Sequence, residues 1–254
     1  MFRDLVIPAR FRGPPQSGNG GYVAGAIAQH LCLTADQSDA AIEVTLRAPI
    51  PLDTPMSVVA DGDGLRVVLG DVLIAEARRA ALTLQVPDPP SFAEARAARD
   101  ASPSFYRGVN PLIPDGTGFH PVCVCCGADV PPAEGLHVYA APVPGFQGVA
   151  AAWHPHPAFA DGNGLLPPAI LWTALDCPGQ FAYMVDGIRT GLLGRMTARI
   201  LREVRPDDDL VVIGWRQEIE RRKHFAGTAL FDGAGTLCAY ARQTWIGRMD
   251  DPGA

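Results

Sequence analysis

The chain repeats itself. Leu73-Ile-Ala-Glu-Ala-Arg78 and Leu237-Cys-Ala-Tyr-Ala-Arg242 both read L-x-A-x-A-R, and each follows a glycine-bearing turn. Upstream of them, LRAPIPLDTPM (46–56) and ILREVRPDDDL (200–210) occupy the same relative place, each an alternating strand that runs into a Pro/Asp turn. The spacing between these two blocks differs by ten residues, a loop difference that costs little in closure entropy. A chain with such a repeat folds as copies of one supersecondary unit, and this constrains it more than any single motif does.

An apolar segment of helical length precedes each strand set: SGNGGYVAGAIAQHL (17–31) and LLPPAILWTALDCPGQFAYMV (165–185). Both are apolar on nearly every face, so both are expected to be wrapped by other structure. Pro167 and Pro168 suit a first helical turn, where a missing N–H costs nothing. The first helix is followed by AIEVTLRAP, MSVVADGD, LRVVLGD and VLIAEARRAALTLQV. The second is followed by RMTARILREV, DLVVIGWRQEIERR, HFAGTALFD and TLCAYARQTWIG. These have the period and turn spacing of half-buried antiparallel strands. One buried helix and an antiparallel sheet, made twice, is an α+β arrangement. The expected units are 1–90 and 120–254, joined by a Pro-rich linker, 91–119, that holds a short helix behind a Ser91/Glu94 capping box.

Composition excludes several classes. With 254 residues, 48% hydrophobic and 19% charged, the chain can bury a core and is not disordered. Its 27 glycines and 24 prolines imply many turns between short elements. A net charge of −6 lacks the electrostatic footprint of a nucleic-acid binder. MFRDLVIPAR has no apolar core of signal-peptide length, and LLPPAILWTAL is too short to span a membrane and carries two prolines. Six cysteines fall short of a disulfide scaffold, so a cytoplasmic setting with reduced thiols is expected.

GPPQSGNGGYVAGAIAQ (13–29) looks like the Gly-Gly helix start of hotdog acyl-CoA thioesterases. LPPAILWTALDCPG (166–179) resembles the central-helix motif of the phenylacetate-degradation thioesterases, where a His-Gly-Gly start is followed about three turns on by an acid. With Pro167 set on that histidine, the acid falls on Asp176. Together with LRAPIPLDTP and the Cys-x-x-Cys-Gly at 123–127, these motifs resemble a bacterial family of thioesterase-like double hotdogs over nearly the whole chain. The resemblance implies a tandem double hotdog that hydrolyses an acyl-CoA-type thioester at one composite site between its halves. It implies Asp176 as general base or nucleophile and the Gly20 and Gly21 amides as an oxyanion hole. Asn19, Gln29, Asn163 and His156 would contact substrate. No metal, cofactor, nucleic acid or membrane partner is implied, and a homo-oligomer is open. The departures explain why one site is expected and not two. Pro167-Pro168-Ala169 stands where the motif supplies glycine N–H groups, which prolines lack. The first half keeps Asn19-Gly20-Gly21 but has Gln29 at about the turn where the acid would be.

Each residue also has a structural reading. Asp176 is the sole acid between Leu165 and Val185, where burial without a role would cost desolvation, yet it could cap the turn at Cys177-Pro178. Gly20 and Gly21 could serve close packing, Asn19 a helix cap, and Gln29 a buried hydrogen bond. His154, His156, Asp161 and Asn163 crowd one loop that could be solvated, face substrate or bind metal. Cys123, Cys125 and Cys126 read first as thiols packed where the chain enters its second sheet, with metal and redox roles open. A closed zinc site needs four ligands, and no second Cys pair follows. Cys177 reads as a buried thiol. Arg221-Arg222-Lys223 reads as a solvated turn or a contact to nucleotide phosphates, and Trp172, Trp215 and Trp245 as anchors of core or interface. The rival function is a non-catalytic acyl-thioester-binding or scaffold protein. A hydratase is disfavoured, because no Asp with a His five residues on is found in a suitable segment.

Overall fold

The computed structural model describes residues 4–32 and 40–247; the outer ends of both expected units therefore lie outside the described residues. The first half gives helix α1 (Gly20–Cys32) and strands β1 (Ala41–Leu46), β2 (Ser57–Asp61), β3 (Gly64–Leu69) and β4 (Val72–Ala80). A short helix, α2 (Phe92–Ala98), follows. The second half gives β5 (Ala141–Pro142), β6 (Val149–Trp153), α3 (Pro168–Ala174), α4 (Asp176–Met184), β7 (Leu192–Ile200), β8 (Leu210–Glu220), β9 (Lys223–Phe231) and β10 (Leu237–Ile246). All ten strands form one sheet in the order β2-β3-β4-β1-β7-β10-β9-β8-β6-β5.

The internal repeat is visible in that order. The run β2-β3-β4-β1 is matched, read from the other side, by β8-β9-β10-β7. The two L-x-A-x-A-R segments are β4 and β10, which flank the central pair β1 and β7. That pair is antiparallel, with Ile42 opposite Ala198 and Val44 opposite Met196, and it joins the halves through backbone hydrogen bonds. The second half carries β5 and β6 beyond β8, strands that the repeat did not announce.

Helices α1, α3 and α4 lie against one face of the sheet in a common core that includes Val23, Ile27, Trp172, Phe181, Met196 and Ala241. α1 packs directly on α3. Two glycines one turn apart allow this. A Cβ on Gly21 would lie 2.5 Å from the Trp172 carbonyl oxygen, and one on Gly25 would lie 2.7 Å from Ala169 Cα. The GGYVAG segment is therefore a bare helix face against which a second backbone rests.

The second sheet half is covered on its other face as well. In β8, Leu210 and Val212 face the helices while Val211 and Ile213 join a smaller cluster with Ala95 of α2 and Phe231. The 91–119 segment thus contributes packing as well as connection. Its helix has the expected capping box: the Ser91 hydroxyl accepts from the Glu94 N–H, and the Glu94 carboxylate accepts from the Ser91 N–H. No helix among the described residues is long and apolar enough to cross a membrane.

Two segments depart from expectation. Residues 120–127 form successive turns and not a strand. Pro121 donates no ladder bond, and Cys123 N–H to His120 O and Gly127 N–H to Cys123 O wind the chain tightly. The long apolar helix of 165–185 is divided at Leu175 (φ −77°, ψ −6°) into α3 and α4. Pro178, in the first turn of α4, has no N–H with which to continue the ladder across the joint. The buried Gln243 of β10 serves the joint instead. Its Nε2 donates to the carbonyls of Leu175 (2.6 Å) and Asp176 (3.0 Å), while its Oε1 accepts from Trp245 Nε1 (2.9 Å).

Two stability measurements follow. Gly25→Val should lower the unfolding free energy by about 1–3 kcal/mol through overpacking. Gly162→Ala, whose new methyl meets nothing within 4 Å, should leave the denaturation midpoint unchanged. Gln243→Leu should cost about 1–3 kcal/mol for each polar group it strands; an unaltered denaturation curve would show that the joint is satisfied in some other way.

Candidate active site

The start of α1 and the α3/α4 joint meet. Asn19 precedes the first helical residue, and its Oδ1 accepts from the Tyr22 N–H (2.9 Å), a helix N-cap. That fixes the carboxamide, so its Nδ2 is aimed out of the cap. It donates to Asp176 Oδ2 at 2.6 Å and approaches Cys123 Sγ at 3.6 Å. Capping and contact with the acid are one arrangement, made by one side chain that is 1% exposed.

Asp176 is itself 3% exposed. Burial, and next the nearby Cys123 sulfur, push its carboxyl up to about 7; the Gly21 N–H and the Asn19 amide act in the opposite direction. Oδ2 is held by Asn19, whereas Oδ1 has no partner at hydrogen-bonding geometry among the described residues. Neither helper carries a full charge, so the group is held by dipoles alone.

A cavity of about 310 Å³ opens beside this acid. Its walls are the α1 start (Asn19, Gly20), the first turn and a half of α4 (Asp176, Cys177, Gln180), and His120 and Cys123 of the turn segment. The stretch after β1, the start of β7, and Trp245–Ile246 of β10 complete it. Gln180, one turn beyond Asp176, donates through Nε2 to the Gly191 carbonyl (2.8 Å). Its Oε1 is therefore the atom that meets His120 Nε2 at 2.9 Å, which places the imidazole proton on Nε2 and leaves Nδ1 as an acceptor. Burial lowers the His120 pKa, opposed by Cys123 and the Gln180 bond. The Cys123 thiol is pushed well below its ordinary value because Cys126 and Cys177 donate to its sulfur.

The structure brings together Asn19, Gly20, Gly21 and Asp176. Gly20 lines the cavity at the positive end of α1, while Gly21 is buried beneath Trp172 and Asp176. Gln29, Asn163 and His156, expected to contact substrate, do not line this cavity. Gln29 is nine residues along α1 from Gly20, about 13 Å at the helical rise. Asn163 is exposed in a turn where its N–H bonds Asp161 Oδ1. His156 is exposed too, and its Nδ1 accepts from the Ala158 N–H to cap a single helical turn. His154 meets Asp209 at 3.2 Å on the surface. The sequence reading did not select Gln180, His120 or Cys123 for the cavity. Gln180 had a signal, since it stands four residues after Asp176 on the same helix face; the other two depend on a turn with no periodicity to read.

No protein-family model matches the chain, and no curated protein matches it. Solved structures do. A tesB protein of Mycobacterium avium subsp. paratuberculosis superimposes with a TM-score of 0.57 at 13% identity, covering 92% of this chain and 89% of the other. The acyl-CoA thioesterase II TesB2 of Mycobacterium marinum gives 0.55 at 16% identity, covering 93% and 90%. A conserved protein of unknown function with hot dog fold from Alicyclobacillus acidocaldarius gives 0.57 at 12%, covering 97% and 94%. The chain has the hotdog fold, shared over nearly its full length with these proteins.

Proposed function

We propose that the protein is a tandem double hotdog that hydrolyses an acyl-CoA-type thioester at one composite site between its halves. One observation carries this reading: Asp176, a buried carboxyl with one oxygen unpartnered among the described residues, borders a cavity that Gly20 lines at the N-terminus of α1, from the other half. A neighbour named as an acyl-CoA thioesterase II and another named as a tesB protein support it at the level of fold.

Hydrolysis needs a base for water, donors for the oxygen that gains charge, and room for the acyl group. Asp176 Oδ1 takes the proton from water as its oxygen attacks the thioester carbonyl. The Gly20 N–H and the α1 dipole face the developing oxyanion. The intermediate collapses with cleavage of the C–S bond, the leaving sulfur takes the proton from Asp176, and thiol and acid are released. Asn19 and the Gly21 N–H hold the carboxylate; they position it and do not react. The second half cannot supply the donors, because its helix starts at Pro167-Pro168.

The cavity rim also fits the rest of such a substrate. Ile246 borders the cavity and pairs with Lys223, and the Gly247 carbonyl accepts from Arg222 Nε at 3.0 Å. The Arg221-Arg222-Lys223 turn between β8 and β9 therefore sits at that rim, where nucleotide phosphates would meet it.

Thiol release from a panel of short, long and aryl acyl-CoAs should show activity. Asp176→Asn should lower kcat by about 10²–10⁴-fold, the usual worth of a general base, in a chain that still unfolds cooperatively. Undiminished activity in that variant, or saturable acyl-CoA binding without thiol release by the unaltered protein, would exclude the catalytic reading. Lys223→Ala should raise KM for an acyl-CoA about 2–5-fold, the worth of one exposed ion pair, and leave KM for the matching acyl-pantetheine unchanged.

A further inference from the structure

Four thiols from two distant segments converge beside the cavity. The Sγ atoms of Cys123, Cys126 and Cys177 all lie within 4.8 Å of one another, and Cys123 and Cys177 stand 3.7 Å apart. The Cys125 thiol also meets Cys177 but lies outside that group of three. All four are buried, and none is in a disulfide. The 3.7 Å separation is far beyond the S–S bond length of about 2.05 Å. It matches the edge of a tetrahedron around zinc, about 3.8 Å for Zn–S bonds of about 2.3 Å.

The backbone is shaped to the same end. Cys123-Val-Cys125-Cys126-Gly127 folds back so that the Cys126 N–H donates to Cys123 Sγ and the Gly127 N–H to Cys123 O at 2.8 Å. A Cβ on Gly127 would lie 2.6 Å from the Cys123 and Pro121 carbonyl oxygens, so the turn has no room for another residue there. Asn19 Nδ2, 3.6 Å from the Cys123 sulfur, is a second N–H donor to it. Donors of this kind stabilise the negative sulfur of a metal-bound thiolate. Sequence spacing offered one Cys pair and no second, but the fold supplies Cys177 from the first turn of α4.

We infer that Cys123, Cys126 and Cys177 form a thiolate site for Zn²⁺ that ties the 120–127 turns to the α3/α4 joint. Each thiol releases one proton to solvent as its sulfur binds. The metal stays divalent and no electron moves. Zinc suits a set of thiolates, whereas Mg²⁺ and Ca²⁺ prefer oxygen. The inference does not rest on the thioesterase reading, and its test reads metal and not turnover.

The full chain, produced with zinc in the medium and purified in reductant without a polyhistidine tag, is assayed for metal by mass spectrometry. About one zinc per chain is expected, retained on dialysis and removed by a strong chelator, with the buried thiols then open to a thiol reagent. Cys126→Ser and Cys123→Ser should each lose the metal, while Cys238→Ser, on β10, keeps it. Because a core substitution can itself unfold the chain, the chelator-treated unaltered protein is also titrated with Co²⁺. Thiolate-to-cobalt charge-transfer bands and tetrahedral d–d bands, displaced by zinc, are expected. A metal-free protein that develops no such bands would overturn the site, as would zinc undiminished in either variant or a Cys123–Cys177 disulfide in its place.

Discussion

The structure turns on how closely two helices approach. Helix axes normally stand 8–10 Å apart according to the side chains between them. Here Gly21 and Gly25 remove the side chains from one partner, and the Trp172 carbonyl and Ala169 Cα occupy the space. The approach is what lets a short side chain, Asn19, reach from the cap of α1 to a carboxylate on the other half at 2.6 Å. A methyl at Gly21 would stand 2.7 Å from Asp176 Cβ, so helix packing and the position of the acid are one constraint. The antiparallel β1–β7 pair holds the two halves in the register that this contact needs.

That constraint explains what the sequence disclosed and what it did not. The repeat and its strands were legible because alternation reports which face of a strand is buried, although 47–55 and 201–209, read as parts of strands, run as irregular chain after β1 and β7 end. Asn19, Gly20 and Asp176 were legible because helix starts and a lone acid in an apolar run are local signals. The break at Leu175 was only half legible: Pro178 marks it, but the Gln243 amide that satisfies its carbonyls comes from β10. Cys123 was read where the chain enters its second sheet for want of a local signal, and the turn that holds it and His120 is fixed by contacts across the chain. Gln29 was selected by its offset from the helix start. That offset carries it down α1, away from the only end of the helix that faces the cavity.

Asp176 is buried among dipoles and not beside a cation. A carboxylate removed from water is costly unless it is paired, and no cation is among the groups that shift it. Its partners are an amide side chain and one backbone N–H, which offset part of the cost and leave Oδ1 free. The acid stands on α4 and the amides that face it stand at the start of α1, so each half contributes a different polar group to the contact.

The α3/α4 joint then acquires a second consequence. Adjacent residues of one helical turn point in different directions, about 100° apart at 3.6 residues per turn. Asp176 therefore meets Asn19 and the α1 start, while its neighbour Cys177 meets the thiols of the 120–127 turns. A displacement of either turn is felt by both groups, because Asn19 touches Asp176 and Cys123 with the same nitrogen. A metal that fixed the three sulfurs would accordingly fix the carboxamide, and through it the carboxylate. The polar half of the cavity depends on the order of a loop that contains no regular secondary structure, and the thiols add to the backbone bonds, such as Val124 N–H to Arg12 O and Leu136 N–H to Val124 O, that order it.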